Sequence, residues 1–418
     1  MLSIVKNLIS KKGHGWASAV PLFFVFVFVF GLVTSGFASE EPYISSLINR
    51  ARQERVYEDK QWLKLLHYSP GLLGYRSVVD DPRFFLSPSG KTDPEAELIA
   101  TVEALFDRQV EGDEHALCRF PARARWLMDR LEIKKEALPE VNCRSLDEFL
   151  QAVSPEKAYL VFASSFMGSP ASMFGHTFLI ISPKGTDSKL LSYAANYAAE
   201  ATDRNGLLYA FKGVFGFYKG YFTVLPYYDK IRQYSNMEHR DLWEYPLNLT
   251  PEEVRFMVLH LWELKGIYSY YYFFDENCSY HLLFLLDAVR PEKSMTDRFS
   301  FWVIPVDTIR WAMKRGLILP PVFRASKVTK IRAYAEGLDS ELIELAKEVA
   351  QGGKPPGAIL ETDYPVKDKA RAYEIASELI EVEYIKKTIT QEVYQRRLLG
   401  VLKARAKLGV IEPVHIES

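Results

Sequence analysis

The sequence predicts an α+β domain flanked by helical regions, and three observations carry that expectation. Short strand-like runs cluster between Ala158 and Ala199. A helix that is apolar nearly all round follows Asn277. The chain before Ser154 is mostly helical in its hydrophobic period, and the chain after Ser326 is charged and helical with no strand signal. The expected segments are a leader over 1–38, a helical N-terminal region over 39–154, the mixed domain over 155–325, and a helical C-terminal region over 326–418.

The leader is read from its charge and apolar pattern. Lys6, Lys11 and Lys12 precede an apolar run from Ala17 to Val33, and Gly36 and Ala38 stand at the −3 and −1 spacing of a cleavage site. This is the pattern of a secretory signal removed after Ala38. The run is almost long enough to span a bilayer, so an uncleaved anchor is the second reading. No later stretch has the length and freedom from charge of a membrane helix, which predicts an exported remainder of about 380 residues, enough for two or three domains. The bacterial periplasm is the compartment this predicts. Net charge is −1 and no basic arm is present, so nucleic acid is excluded as a partner.

From Glu40 the apolar spacing of Ile44, Leu47 and Ile48, and later of Trp62, Leu63, Leu65 and Leu66, is helical. SPGLLGYRSVVDDPRFFLSPSGKTDP reads as a loop. Pro94 opens the next helix, with Leu98, Thr101, Leu105 and Phe106 as its stripe. A further short helix is expected over Asp147–Val153. Arg119, Arg123 and Arg125 read as a solvated or salt-bridged face, with anion binding as the functional alternative.

From Lys157 the period changes. AYLVFAS, GHTFLIIS and KLLSYAANYAA read as strands, and SSFMGSPASMF between the first two as a loop. The Gly-, Tyr- and Phe-rich segment from Glu200 to Met237 reads as a β-hairpin insertion or a lid, able to wall an apolar substrate. HRDLWEYP is a strand. Thr250, Pro251 and Glu253 then make an N-cap, a first helical residue and a capping box. IYSYYYFF is β-type and leads into DENCSYHLLFLLDAVRP. Asn277 is a good N-cap for that helix, and Arg290-Pro291 stops it. Only His281 and Asp287 are clearly polar between Tyr280 and Val289, which predicts burial.

Three cysteines are present. In an oxidising compartment an even pair becomes a disulfide, which pairs Cys118 with Cys143 and leaves Cys278 as a free thiol. Cys278 stands at a helix start, where unpaired N–H groups and the helix dipole favour the thiolate. No CxxC or HExxH spacing is present, so no metal and no cofactor is expected.

A thiol nucleophile needs a base. Of eight histidines, His176 at the start of the GHTFLII strand is the best candidate, and His281, three residues past Cys278, competes with it. Asn196 on the next strand is the candidate that orients the imidazole, with Ser192 and Tyr193 as alternatives. Backbone N–H groups at Cys278 and Ser279, beyond Asn277, are the candidate oxyanion donors.

At these residues the chain resembles a known family. SPASMFGHTFLII, SYAANYA, RDLWEYPLNLTPEE and YYFFDENCSYHLL look like the periplasmic domain of the lipoprotein N-acyltransferase B family. The upstream DPRFFL, DPEAELIAT and CRFPARARWL also match, and the likeness spans Trp62 to Pro321. The order of His before Cys resembles the circularly permuted papain-like enzymes of the NlpC/P60 superfamily, including lecithin:retinol acyltransferase-like members. The resemblance implies a permuted papain-like catalytic domain in which Cys278 takes an acyl chain from a phospholipid as a thioester and passes it to an amine, the N-terminus of a lipoprotein. It implies His176 as base, Asn196 beside it, and a membrane surface as partner. Members of the family carry membrane-spanning helices after this domain, whereas here the chain continues charged and helical. Two further readings are a papain-like peptidase or amidase of the cell envelope and an inactive binding module. The apolar segment from Glu200 to Met237 favours a lipid.

Overall fold

The computed structural model of the chain describes residues 40–71, 74–165, 173–185, 189–201, 203, 205–231, 240–299 and 302–416. The expected leader, most of the loop after AYLVFAS, His14 and His239 lie outside the described residues. The chain divides into two units, 1–54 and 55–418. In the first, the described residues form one helix, α1 (Glu40–Gln53), with Arg50 and Arg52 in its last turn, where the carbonyl end of the dipole favours cations.

The second unit opens with α2 (Lys60–Leu65), capped by Asp59, and a two-stranded hairpin, β1 (Tyr68–Gly71) and β2 (Gly74–Ser77). The hairpin lies in the stretch read from sequence as loop, and its Gly- and Pro-bearing strands hide the alternation that marks a strand. Then come α3 (Pro94–Leu105), α4 (Ala116–Arg119), α5 (Pro121–Arg130) and α6 (Arg144–Val153). Cys118 and Cys143 are bonded, with Cα atoms 5.1 Å apart, and pin α4 to the start of α6.

The centre is a seven-stranded sheet in the order β8-β6-β5-β4-β3-β7-β9, its neighbours antiparallel. The strands are β3 (Pro155–Ala163), β4 (His176–Pro183), β5 (Tyr193–Ala199), β6 (Tyr218–Pro226), β7 (Leu242–Pro246), β8 (Tyr268–Tyr271) and β9 (Val322–Arg324). β4 is buried from His176 to Ser182 because it is central and covered on both faces, which explains its unbroken apolar run. One face carries Val161, Ala163, Phe178, Ile180, Ala194 and Leu242, packed with Tyr227. On the other lie α9 (Pro251–Glu263), against β3, and α10 (Cys278–Val289), against β4 and β5.

The segment from Glu200 to Met237 corrects the expectation of a hairpin insertion. It forms α7 (Gly206–Val214), then β6, which pairs Gly220–Pro226 with Tyr193–Ala199 of β5, then α8 (Tyr227–Ile231). Glycines 213 and 220 supply the close approaches this needs. A Cβ at Gly213 would stand 2.1 Å from the Phe273 ring, and one at Gly220 2.4 Å from the Tyr197 hydroxyl.

α9 begins on the Thr250–Glu253 capping box, as the sequence predicts. Helix α11 (Pro305–Lys314) follows α10. Four helices, α12 (Lys327–Ala335), α13 (Ser340–Gln351), α14 (Val366–Ile385) and α15 (Gln391–Ala406), build a core around Leu342, Ala346, Val349, Ile359, Tyr373, Ile380 and Val401. α14 and α15 are separated by a short break, with Thr390 capping the second helix.

Candidate active site

α10 is buried at each position from Cys278 to Ala288. Its start is fixed by Asn277, whose Oδ1 accepts from the N–H groups of Ser279 at 3.0 Å and Tyr280 at 3.3 Å. The same side chain donates through Nδ2 to the Val303 carbonyl at 2.6 Å, so the cap is tied to the chain beyond the helix. Cys278 is therefore the first helical residue, with a rigid first turn beneath it.

The sulfur meets the sheet where β4 and β5 part. β3 and β4 stay in register to Ala163↔His176, but β4 and β5 pair only from Leu179 to Ile181. Thr177, beyond that pairing, gives its backbone N–H to the Cys278 sulfur. Its hydroxyl lies 2.8 Å from that of Ser279, which locks strand to helix. Gly175 makes the entry into β4 with φ +92°, and a Cβ there would meet the Phe162 ring at 2.5 Å.

His176 Nε2 lies 2.6 Å from Asn196 Oδ1, and both residues are buried. An amide oxygen only accepts, so the Nε2 hydrogen points to Asn196 and Nδ1 is the ring nitrogen left for the thiol. The imidazole hydrogen-bonds the Cys278 sulfur. Burial alone pushes the thiol up. The charge and hydrogen bond of His176, the Thr177 N–H and the Tyr271 hydroxyl outweigh burial, and the thiol is lowered to about 6. A thiolate beside an imidazole, itself held by a fixed amide, is a nucleophile–base–orienter arrangement.

Tyr271, at the end of β8, was not singled out in the sequence. Its ring stacks on Tyr197 with centroids 5.8 Å apart, and its hydroxyl accepts from the Cys278 N–H at 3.3 Å. Burial and the neighbouring thiol push its own hydroxyl well above the ordinary value, so it stays a neutral donor. The signal was present: Tyr271 is the inward member of a period-2 strand directly before the nucleophile. Asn277 holds the Ser279 N–H and the Tyr271 oxygen accepts the Cys278 N–H, so the hydrogen of the Tyr271 hydroxyl is the donor left beside the sulfur.

The competing candidates fall elsewhere. His281 stacks on Tyr197 at 4.0 Å, its Nε2 is buried without a partner, and burial lowers it to about 3, which keeps it neutral. Ser192 bonds the Ser182 hydroxyl at 2.8 Å, toward the far end of β4, and Tyr193 pairs with Ile181. Of the arginines read as a solvated or salt-bridged face, Arg125 is exposed and Arg123 is salt-bridged, but inside the fold rather than on a face. Arg123 is fully buried, 3.1 Å from Glu97 and 3.7 Å from Glu263. Glu263 bonds His260 at 2.9 Å, and His260 meets His67 at 3.0 Å.

A cavity of about 270 Å³ lies beside the cap, lined by Asp275, Glu276, Asp297, Ser69, Tyr280 and Val303 among others. Burial, then Asp275 and Asp80, raises Glu276 to about 8. Among the described residues no group of His, Cys, Asp and Glu is arranged to hold a metal ion.

A buried thiol, an imidazole and an amide are thus brought together on an α+β framework. Residues 145–315 match the Lnb N-terminal periplasmic domain, which contains Cys278, His176 and Asn196. Residues 54–130 and 321–415 each match a domain of unknown function, DUF7843 and DUF7842. Comparison with curated proteins and with solved structures gives no match. No helix among the described residues is long and apolar enough to cross a membrane.

Proposed function

We propose that the protein is a periplasmic cysteine acyltransferase of permuted papain-like fold, moving an acyl chain from a phospholipid to an amine such as a lipoprotein N-terminus. The observation that carries this is the buried Cys278 thiol, lowered to about 6 beside a His176 that Asn196 fixes at 2.6 Å. His176 Nδ1 takes the thiol proton, and the thiolate attacks the ester carbonyl of the donor. The oxyanion develops toward the Tyr271 hydroxyl. The ester C–O bond breaks, the lysophospholipid alcohol leaves with the proton from His176, and a thioester remains on Cys278. The amine then attacks that thioester, surrenders a proton to His176, and leaves as the amide while the thiol is restored.

The domain match supports export and the acyl-transfer class. The disulfide fits an oxidising compartment. A lipid donor is favoured by α7 and the turn after it, where Leu207, Leu208, Phe211, Phe215 and Phe217 are exposed. The acidic cavity beside the cap suits an incoming ammonium. The experiment is incubation of the protein with labelled phospholipid, followed by intact mass. An acyl mass on Cys278 that a primary amine discharges is expected. Cleavage of a peptide amide with no acyl mass from phospholipid would replace this reading with the amidase.

A further inference from the structure

We propose a second binding site, for a phosphate-ester anion, in the open cavity of about 620 Å³ lined by Arg298, Trp302, Arg310, Trp311 and Lys314, with Phe299 and Asp307. It rests on the acyl-donor reading above and names where the donor's phosphodiester is held. Three cationic side chains face one carboxylate, and Asp307 is engaged by Arg310 at 3.0 Å. Arg298 and Lys314 have no carboxylate within ion-pair distance among the described residues, so the cavity carries a net positive charge. The Lys314 ammonium lies 5.6 Å over the Trp311 ring, which holds that cation against the aromatic wall of the cavity. The Trp311 Nε1 hydrogen, sealed from solvent, has no acceptor. Arg298 and Lys314 thus offer donors in excess of the one carboxylate, and the complement is an anion with several acceptor oxygens.

The cavity is joined to the nucleophile through the backbone. Trp302 packs on Phe274 with centroids 4.9 Å apart, and Phe274 on Phe174 at 6.1 Å. Phe274 lies four residues before Cys278 and Phe174 two before His176. Next to Trp302, Val303 donates to the Phe274 carbonyl at 2.7 Å and accepts from the Asn277 cap at 2.6 Å. Trp302 itself is 62% exposed. An aromatic ridge therefore runs from the basic cavity to the lip of the thiol. A molecule with a phosphate at one end and an ester at the other fits that layout.

The test uses the full chain as Cys278→Ser, so that binding is read without turnover. Its ligands are a soluble short-chain phosphatidylglycerol, glycerol phosphate and inorganic phosphate, measured by calorimetry. Arg298→Gln with Lys314→Gln is expected to weaken the short-chain lipid by about fivefold per charge removed, the scale for a basic side chain at an anionic lipid surface. Glycerol phosphate losing affinity in parallel supports recognition of the phosphate ester itself. Binding of the lipid alone, still lost in the double variant, supports a headgroup that also needs its chains. Equal lipid affinity in the variant and the parent, with unchanged melting, overturns the site, as does inorganic phosphate binding while neither ester does. Failure of acylation at Cys278 with charge-dependent lipid binding intact would remove the acyl-donor reading and leave this site standing.

Discussion

The depressed Cys278 thiol is the sharpest consequence of the geometry, and removing His176 is the perturbation that isolates it. With its folded value lowered to about 6 from an ordinary 9.0, the native thiolate is favoured by about 4 kcal/mol. A depressed acid is deprotonated above its folded value, so the reactive fraction rises through pH 6 and is level at pH 7 and beyond. In His176→Ala the coulombic and hydrogen-bonding contributions of the imidazole go, while burial, which opposes the thiolate, remains. The Thr177 N–H and the Tyr271 hydroxyl stay and partly offset burial, so the titration midpoint is expected to rise to about the ordinary 9.0. At pH 7 the thiolate fraction falls from about nine-tenths to about one-hundredth. The rate at that pH falls by much less. A thiolate of higher basicity is intrinsically more nucleophilic, and a Brønsted slope near 0.45 returns about twentyfold, leaving a net loss of only about fourfold. A single-pH rate is therefore a poor test and the midpoint is a good one. The assay is reaction with the neutral disulfide dithiodipyridine from pH 4 to 10, followed by absorbance. Cys278 is the one free thiol, so the signal needs no dissection. A parent midpoint near the ordinary thiol value would refute the electrostatic account, and so would a midpoint that stays put in His176→Ala.

Four further outcomes are expected. In an acyl-transfer assay Cys278→Ser and His176→Ala each abolish turnover, Asn196→Ala falls between them and the parent, and His281→Ala loses least; activity surviving in His176→Ala but not in His281→Ala would reassign the base. Tyr271→Phe, which keeps the stacked ring and removes the donor, lowers kcat by about 10²-fold with melting little changed if the hydroxyl faces the oxyanion. Converting Cys118 and Cys143 to Ala removes a 25-residue closure and costs about 3 kcal/mol in denaturant unfolding. Gly175→Ala forces a side chain to φ +92° against Phe162 and costs about 1–3 kcal/mol, read in the same way.

Local chemistry was legible where a few adjacent residues decide the structure. The Asn277 cap, the Thr250–Glu253 box and the Cys118–Cys143 pairing follow from one-turn hydrogen bonding or from cysteine parity, and each is present. His176 and Asn196 were reachable because alternate positions of neighbouring strands share a face, so a histidine opening one strand meets an amide on the next. What was not legible depends on distant partners. Arg123 reads as part of a solvated or salt-bridged face, and its burial shows only once Glu97 and Glu263 are folded around it, since nothing within four residues announces them. β6 reads as part of a hairpin insertion or a lid because glycine and aromatic residues mask its alternation, and only its pairing with β5, which brings in the Tyr197 ring, explains why Gly220 must be small. Tyr271 carries no motif of its own; its role is set by the strand end meeting the helix start.

The thiol's position is likewise a tertiary property, although the helix that bears it is locally encoded. At the N-terminal end Asn277 is bound to Val303, and Ser279 to Thr177. Near the C-terminal end Gln61 donates to the Ala288 carbonyl at 2.8 Å. There the buried Asp287 carboxylate accepts from the Met295 and Thr296 N–H groups at 2.6 and 2.9 Å and lies 3.8 Å from the Lys64 ammonium. Four separate stretches of chain thus hold one helix along its length. Rotation of α10 by one residue would swing Cys278 about 100° away from the gap between β4 and β5. It would also strand Asp287 without its donors, a loss of buried polar partners worth several kcal/mol. The same residues that bury the polar members of an apolar helix therefore fix the register at which its thiol meets the imidazole.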